Sequence, residues 1–142
     1  GWKLDDEDPF GELGFALAFE EWVDAAEARR AAAGWGGDRS AVYTKGDELA
    51  FAVHSRYDAL PFAERAMQKL TPGLKKTLGK ASIDAPDAVC FERKDLGPFI
   101  LARKDRDVVL ATGPARAVNT TWTSTSTCAQ AKKWADEILA TR

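Results

Sequence analysis

Ala41-Val42-Tyr43-Thr44-Lys45-Gly46-Asp47-Glu48-Leu49-Ala50-Phe51-Ala52-Val53 reads as two strands joined by a tight turn. β-Branched and aromatic residues favour extended backbone, and Gly46 gives the turn its freedom in φ. Leu49, Phe51 and Val53 alternate onto one face, while Ala50, Ala52 and His54 take the other. Small residues on that second face let another element pack closely. A connection this short makes the two strands antiparallel neighbours, which sets the fold class.

Toward the N-terminus the pattern changes to helical spacing. Asp8-Pro9 predicts an N-cap followed by proline in the first turn. Leu13, Leu17, Val23 and Ala26, with Phe15, Phe19 and Trp22 beside them, make a broad apolar face that ends at Gly34. Toward the C-terminus, Asp58 is the expected N-cap of a second helix with Phe62, Ala66, Met67 and Leu70 on one face, stopped by Thr71-Pro72-Gly73. Residues 74–87 read as one helical turn and a loop. Strands are expected at 88–93, 98–103 and 107–112, the last two joined through Lys104-Asp105-Arg106, and a final helix from about Ser126. The order is helix, two strands, helix, three strands, helix. That order predicts a single α+β domain over residues 1–142, with an antiparallel sheet of about five strands and helices packed mainly on one face.

The 142 residues suffice for one core, burying roughly 68% of the unfolded surface. Twenty basic and 22 acidic side chains leave a net charge of −2, so no field draws a nucleic-acid backbone. Leu4-Asp5-Asp6-Glu7-Asp8 and Arg103-Lys104-Asp105-Arg106-Asp107 read as solvated turns. No segment has the roughly 18 apolar residues of a membrane span, so membrane insertion is not expected. The chain opens Gly1-Trp2-Lys3, without a signal-peptide pattern or an initiator methionine, as a fragment or mature product does.

Self-sufficient catalytic motifs are missing. His54 is the sole histidine, which makes neither a nucleophile triad nor a three-ligand zinc site, and a strand-face histidine with a local hydrogen bond is expected instead. No cofactor motif is found, and no metal site is expected. Gly34-Trp35-Gly36-Gly37-Asp38-Arg39 is the most distinctive passage. Its glycines lack the Lys-Ser/Thr of a phosphate loop, and it is read as a tight return from helix to strand. A binding edge through Trp35, Asp38 and Arg39, with Arg56, is the functional alternative. Trp122 lies in a Ser/Thr-rich run beside Asn119-Thr120-Thr121, a glycosylation acceptor triplet that is common by chance, and as a large aromatic on a loop it is the second candidate for a partner contact. Cys90 falls on a strand and Cys128 on the apolar face of the last helix, where they either pair or serve as two small buried hydrophobes.

Three passages carry a resemblance: Gly1 to Gly14, Ala31-Ala32-Ala33-Gly34-Trp35-Gly36-Gly37-Asp38-Arg39, and Ser55-Arg56-Tyr57-Asp58. Together they resemble the C-terminal domain of secreted or surface-anchored bacterial and archaeal proteins, in which it often follows a zinc-peptidase-like region with a His-Glu-x-x-His helix. That motif is absent here, Ser40 stands where the family commonly has an aromatic, and Tyr57 where it often has tryptophan. The resemblance implies an extracytoplasmic setting and, with it, a Cys90–Cys128 disulfide. The expected function is therefore a non-catalytic accessory or interaction domain of an exported prokaryotic protein, binding another domain or protein. The alternatives are the C-terminal part of a zinc-peptidase-like enzyme, or a small-ligand binder with Ala50 and Ala52 as its pocket floor. Oligomeric state is not read from the sequence.

Overall fold

The structure, a computed structural model, describes residues 2–8 and 23–141. Its elements are β1 (Lys3–Asp8), α1 (Ala25–Ala32), β2 (Trp35–Lys45), β3 (Glu48–Tyr57), α2 (Leu60–Leu78), β4 (Ile83–Ala85), β5 (Ala88–Phe91), β6 (Phe99–Lys104), β7 (Asp107–Val118), β8 (Thr121–Ser124) and α3 (Cys128–Ala140). The eight strands form one antiparallel sheet in the order β1-β2-β3-β7-β6-β5-β4, with β8 also paired to β7. The fold is α+β as expected, with eight strands rather than about five.

The hairpin expected at residues 41–53 is the β2–β3 pair, with Lys45 opposite Glu48. Gly46 sits at φ 61°, the left-handed backbone that glycine adopts without strain. The same two-residue connection recurs at Asp105-Arg106 and Asn119-Thr120, where Asp105 (φ 55°) and Asn119 (φ 58°) take the left-handed position. Asp and Asn tolerate that region better than most residues.

Apolar side chains are sorted onto both sheet faces. On one, Val53, Tyr57, Phe91, Phe99 and Leu101 pack against α1 and α2 through Ala28, Ala63, Met67 and Leu70. On the other, Ala52, Cys90, Ile100 and Val109 pack against α3 through Cys128, Ala131, Ala135 and Leu139. Helices thus lie mainly on one face, with α3 alone among the described helices on the other. Cys90 and Cys128 form a disulfide, Cα–Cα 5.8 Å, tying the first residue of α3 to β5.

Four expectations are corrected. The first expected helix is, within the described residues, strand β1 over Lys3–Asp8 and the short helix α1, capped by the Asp24 carboxylate accepting from Glu27 N (2.8 Å). Its middle, residues 9–22, lies outside the described residues. The acidic run forms a strand because pairing with β2 uses backbone groups alone and supplies β2 with a partner over Ser40–Thr44. Asp58 does not cap α2: Ala59 holds that position without a side-chain bond, and Asp58 N instead donates to Gly34 O (2.7 Å).

Helix α2 also runs through Pro72 to Leu78 rather than stopping. Proline inside a helix costs about 3 kcal/mol. Continuing the helix buries Leu74 completely and Leu78 in part, worth about 3–4 kcal/mol together, so the two effects balance. The helix ends at Gly79 (φ 90°), whose N–H bonds Lys75 O at 2.9 Å. Finally, the expected glycine return is itself strand: Trp35–Arg39 forms the start of β2, with a register shift between Trp35 and Gly37.

Candidate functional site

Two places gather polar and aromatic side chains, and they lie toward opposite ends of β3. The first is a cleft of about 590 Å³ between α3 and the β2–β3–β7 part of the sheet. Its floor is made by residues with little or no side chain. Ala50 lies there, 4% exposed, beside Gly113, where an added Cβ would come within 2.8 Å of Leu49 O and 3.1 Å of Ala50 Cα. Strands β3 and β7 can approach this closely only because position 113 carries no side chain.

Tyr43 of β2 and Trp134 of α3 form one wall, their rings meeting edge to face with centroids 5.7 Å apart and planes at 81°. That arrangement sets the positive ring edge of one against the negative face of the other, fixing both orientations. Strand alternation turns Tyr43 toward this face, since it stands opposite Ala50. The first turn of α3 is held by a capping box between Thr127 and Gln130, and Glu92 accepts from Cys128 N at 3.0 Å. With the disulfide, these contacts set where Trp134 stands. Lys45, Lys133 and Glu137 line the cleft's charged edge, and Trp2 lies at its mouth. Glu48 also lines it, but Arg116 approaches Glu48 at 3.5 Å and bonds Asp47 at 2.8 Å.

The second place is centred on Asp107, at the start of β7. Its carboxylate accepts from Arg56 Nε (3.1 Å) and Arg56 Nη2 (3.3 Å) and pairs with His54 Nε2 (3.0 Å). Its side chain is only 8% exposed. Burial pushes the carboxyl's pKa up, but the hydrogen bonds and charges of Arg56 and His54 outweigh that and hold it below the usual range. Asp107 in turn raises the pKa of Arg56. The cluster is a closed ion-pair network that locks β3 to β7.

The residues singled out in the sequence fall as follows. Trp35 opens β2 opposite Tyr57, and Asp38 and Arg39 stand opposite Ser55 and His54. Consecutive strand residues point to opposite faces, so Asp38 and Arg39 do not form one edge. Arg39, His54 and Arg56 share the face on which α3 packs, and Asp38 is on the other. Trp122, 39% exposed, is on β8 opposite Ala117, at the end of β7 remote from Asp107. His54 lies on a strand face as expected, but its hydrogen bond is to Asp107, 53 positions on, rather than local. Of the small-residue face, Ala50 lines the cleft, while Ala52 belongs to the core under α3.

Asp107, Tyr43 and Trp134 were not singled out. Asp107 closes a mixed-charge run that looks solvated, and only its pairing partners from β3, some fifty positions earlier, reveal its burial. Trp134 left a faint signal, an aromatic just beside the apolar stripe of its helix. Among the described residues, no three His, Cys, Asp or Glu side chains converge as metal ligands do, and no helix is long and apolar enough to cross a membrane.

A family model described as a domain of unknown function, DUF8575, matches residues 3–122. The matched span ends within β8, ahead of Cys128 and α3. No curated protein and no solved structure matches the chain.

Proposed function

The chain belongs to the DUF8575 family, and from that starting point we propose that it is a non-catalytic binding domain of an exported prokaryotic protein. Its working surface is the cleft between α3 and β3 rather than the Trp35–Arg39 strand. The observation that carries this is the cleft itself. About 590 Å³ falls within the range of roughly 300–1,000 Å³ that small-ligand sites occupy. It has an aromatic wall, a floor without side chains and a few charges at its edge, which is the composition of a ligand site.

The occupant is a small molecule or the projecting side chain of a partner, with a flat or apolar part against Tyr43 and Trp134. A polar part faces Lys45, Lys133 and Glu137. Export is supported by the Cys90–Cys128 disulfide, since such bonds persist in oxidising compartments. The resemblance to domains that follow a zinc-peptidase-like region supports a supporting role beside a catalytic neighbour, which this cleft would help bind or supply.

The test is ligand-dependent thermal stabilisation across a panel of small amphipathic compounds and short peptides. A compound present at 100 times its Kd stabilises by about 2.7 kcal/mol, a rise in Tm of roughly 5–11 °C for a chain of this size. The rise should vanish in Trp134→Ala and shrink in the exposed pair Lys45→Glu, Lys133→Glu. Compounds that stabilise all three proteins equally, or a panel without any hit, would refute the assignment.

A further inference from the structure

We infer that Asn119 is an acceptor for an N-linked glycan. Asn119 is the only asparagine in the chain, and it begins the triplet Asn119-Thr120-Thr121, the acceptor pattern of N-glycosylation. On sequence alone the triplet has little weight. The structure places it at the tip of the β7–β8 hairpin, where Val118 pairs with Thr121 and only Asn119-Thr120 form the turn. Asn119, Thr120 and Thr121 are all exposed. Asn119 takes φ 58°, and its side chain makes no hydrogen bond among the described residues. A group attached there stands clear of the sheet and disturbs no core contact. Val118 and Trp122, 53% and 39% exposed, flank the turn on its two faces. They leave apolar surface beside the point of attachment, which the C–H face of a first sugar can cover. The remaining requirement is an exported setting, so the inference rests on the export reading above, which the disulfide supports.

The Asn119 amide nitrogen forms a bond to the anomeric carbon of a lipid-phosphate-linked oligosaccharide, presented by a membrane glycosyltransferase of the exporting cell. The anomeric C–O bond to the phosphate breaks, and the lipid phosphate leaves with that electron pair. The proton lost by the amide passes to a base of the transferase and then to water. No oxidant or reductant takes part.

The experiment is peptide mapping by mass spectrometry on protein isolated from its native source, with thiol alkylation before and after reduction on the same sample. Trypsin releases Ala117–Lys132, which contains the triplet. The expected result is a mass increase of one or more sugar residues on that peptide, localised to Asn119. Thr121→Ala should abolish it while leaving the turn residue in place, and Thr121→Ser should retain it. The peptide at its plain sequence mass, or sugar on the threonines and serines instead of Asn119, overturns the inference. In that event, thiols that label only after reduction leave the export reading standing, and thiols that label directly remove it as well.

Discussion

Breaking the Cys90–Cys128 bond should cost this fold about as much as truncating one of its large core side chains. The bond closes a loop with a sequence separation of 38. Loop-closure entropy puts its worth at about 3.9 kcal/mol at 25 °C. Unfolding entropy of about 2.1 cal/mol/K per residue sums to about 0.3 kcal/mol/K over the chain, so Tm should fall by roughly 13 °C. The structure gives a reason to expect the full effect. The buried face of α3 is mostly small, with Ala131 and Ala135 between Cys128 and Leu139, so the helix has little apolar grip of its own. The assay is thermal unfolding by circular dichroism on the oxidised protein, on the same protein held in reductant, and on Cys90→Ala, Cys128→Ala. The reduced protein keeps both sulfur atoms in the core and so isolates the cross-link. A fall of under about 3 °C in the reduced protein would refute the reasoning, because the loop constraint would then contribute almost nothing.

Asp107→Asn should destabilise by about 1–3 kcal/mol, the range for hydrogen bonds to charged groups with allowance for the partly exposed Arg56. Because the folded Asp107 carboxyl has a pKa held below that of an ordinary carboxylate, its contribution is full above the ordinary carboxylate range and is lost as pH falls through the lowered folded value. Urea midpoints of wild type and variant should therefore stay apart at a constant gap from pH 7 down to about pH 4 and converge only below it; a gap that persisted unchanged through strongly acid pH would count against the network. Gly97→Ala should cost at least about 2 kcal/mol: position 97 has φ 84°, and its Cβ would lie 2.5 Å from Gly113 Cα and 2.6 Å from Pro114 O. A chemical denaturation midpoint unchanged from wild type would contradict that. Pro72→Ala should stabilise by about 2 kcal/mol, the cost of proline inside α2 less the roughly 1 kcal/mol by which proline restricts the unfolded chain; a lower Tm in calorimetry would show that the helix needs its proline.

What could be read in advance was whatever local chemistry decides. The turn at Gly46, the strands around Cys90, Ile100 and Val109, and the last helix with its stripe of Cys128, Ala131 and Ala135 follow from alternation, helical spacing and turn residues. What escaped was set by partners distant in the chain. Strand β1 has no apolar pattern and forms because β2 offers it backbone groups. Pro72 carries a strong stop signal that burial of Leu74 overrides. The residues Trp35–Arg39 look like a glycine loop but are drawn into the sheet by Ser55, Arg56 and Tyr57 across from them. The site was legible in part. Ala50 stood out as a floor, but its aromatic wall joins Tyr43 to a residue ninety positions later, and no local pattern joins those two.

The pairing of β3 with β7 also governs how the chain can assemble and how it can be cut. Apart from β1–β2, which pairs residues 3–8 with 40–44, every other strand pair joins segments that follow one another closely or are linked by a hairpin, whereas this one brings residues 48–56 against 107–116. The molecule is accordingly two locally wound pieces zipped along a single seam. Formation of that seam is the slow, entropy-limited event, since its partners are the farthest apart in sequence. The exposed Gly79-Lys80 connection lies between the two pieces. Chain scission there leaves the seam and the disulfide untouched, so a nicked molecule should hold together and two separately made fragments should find each other along β3 and β7.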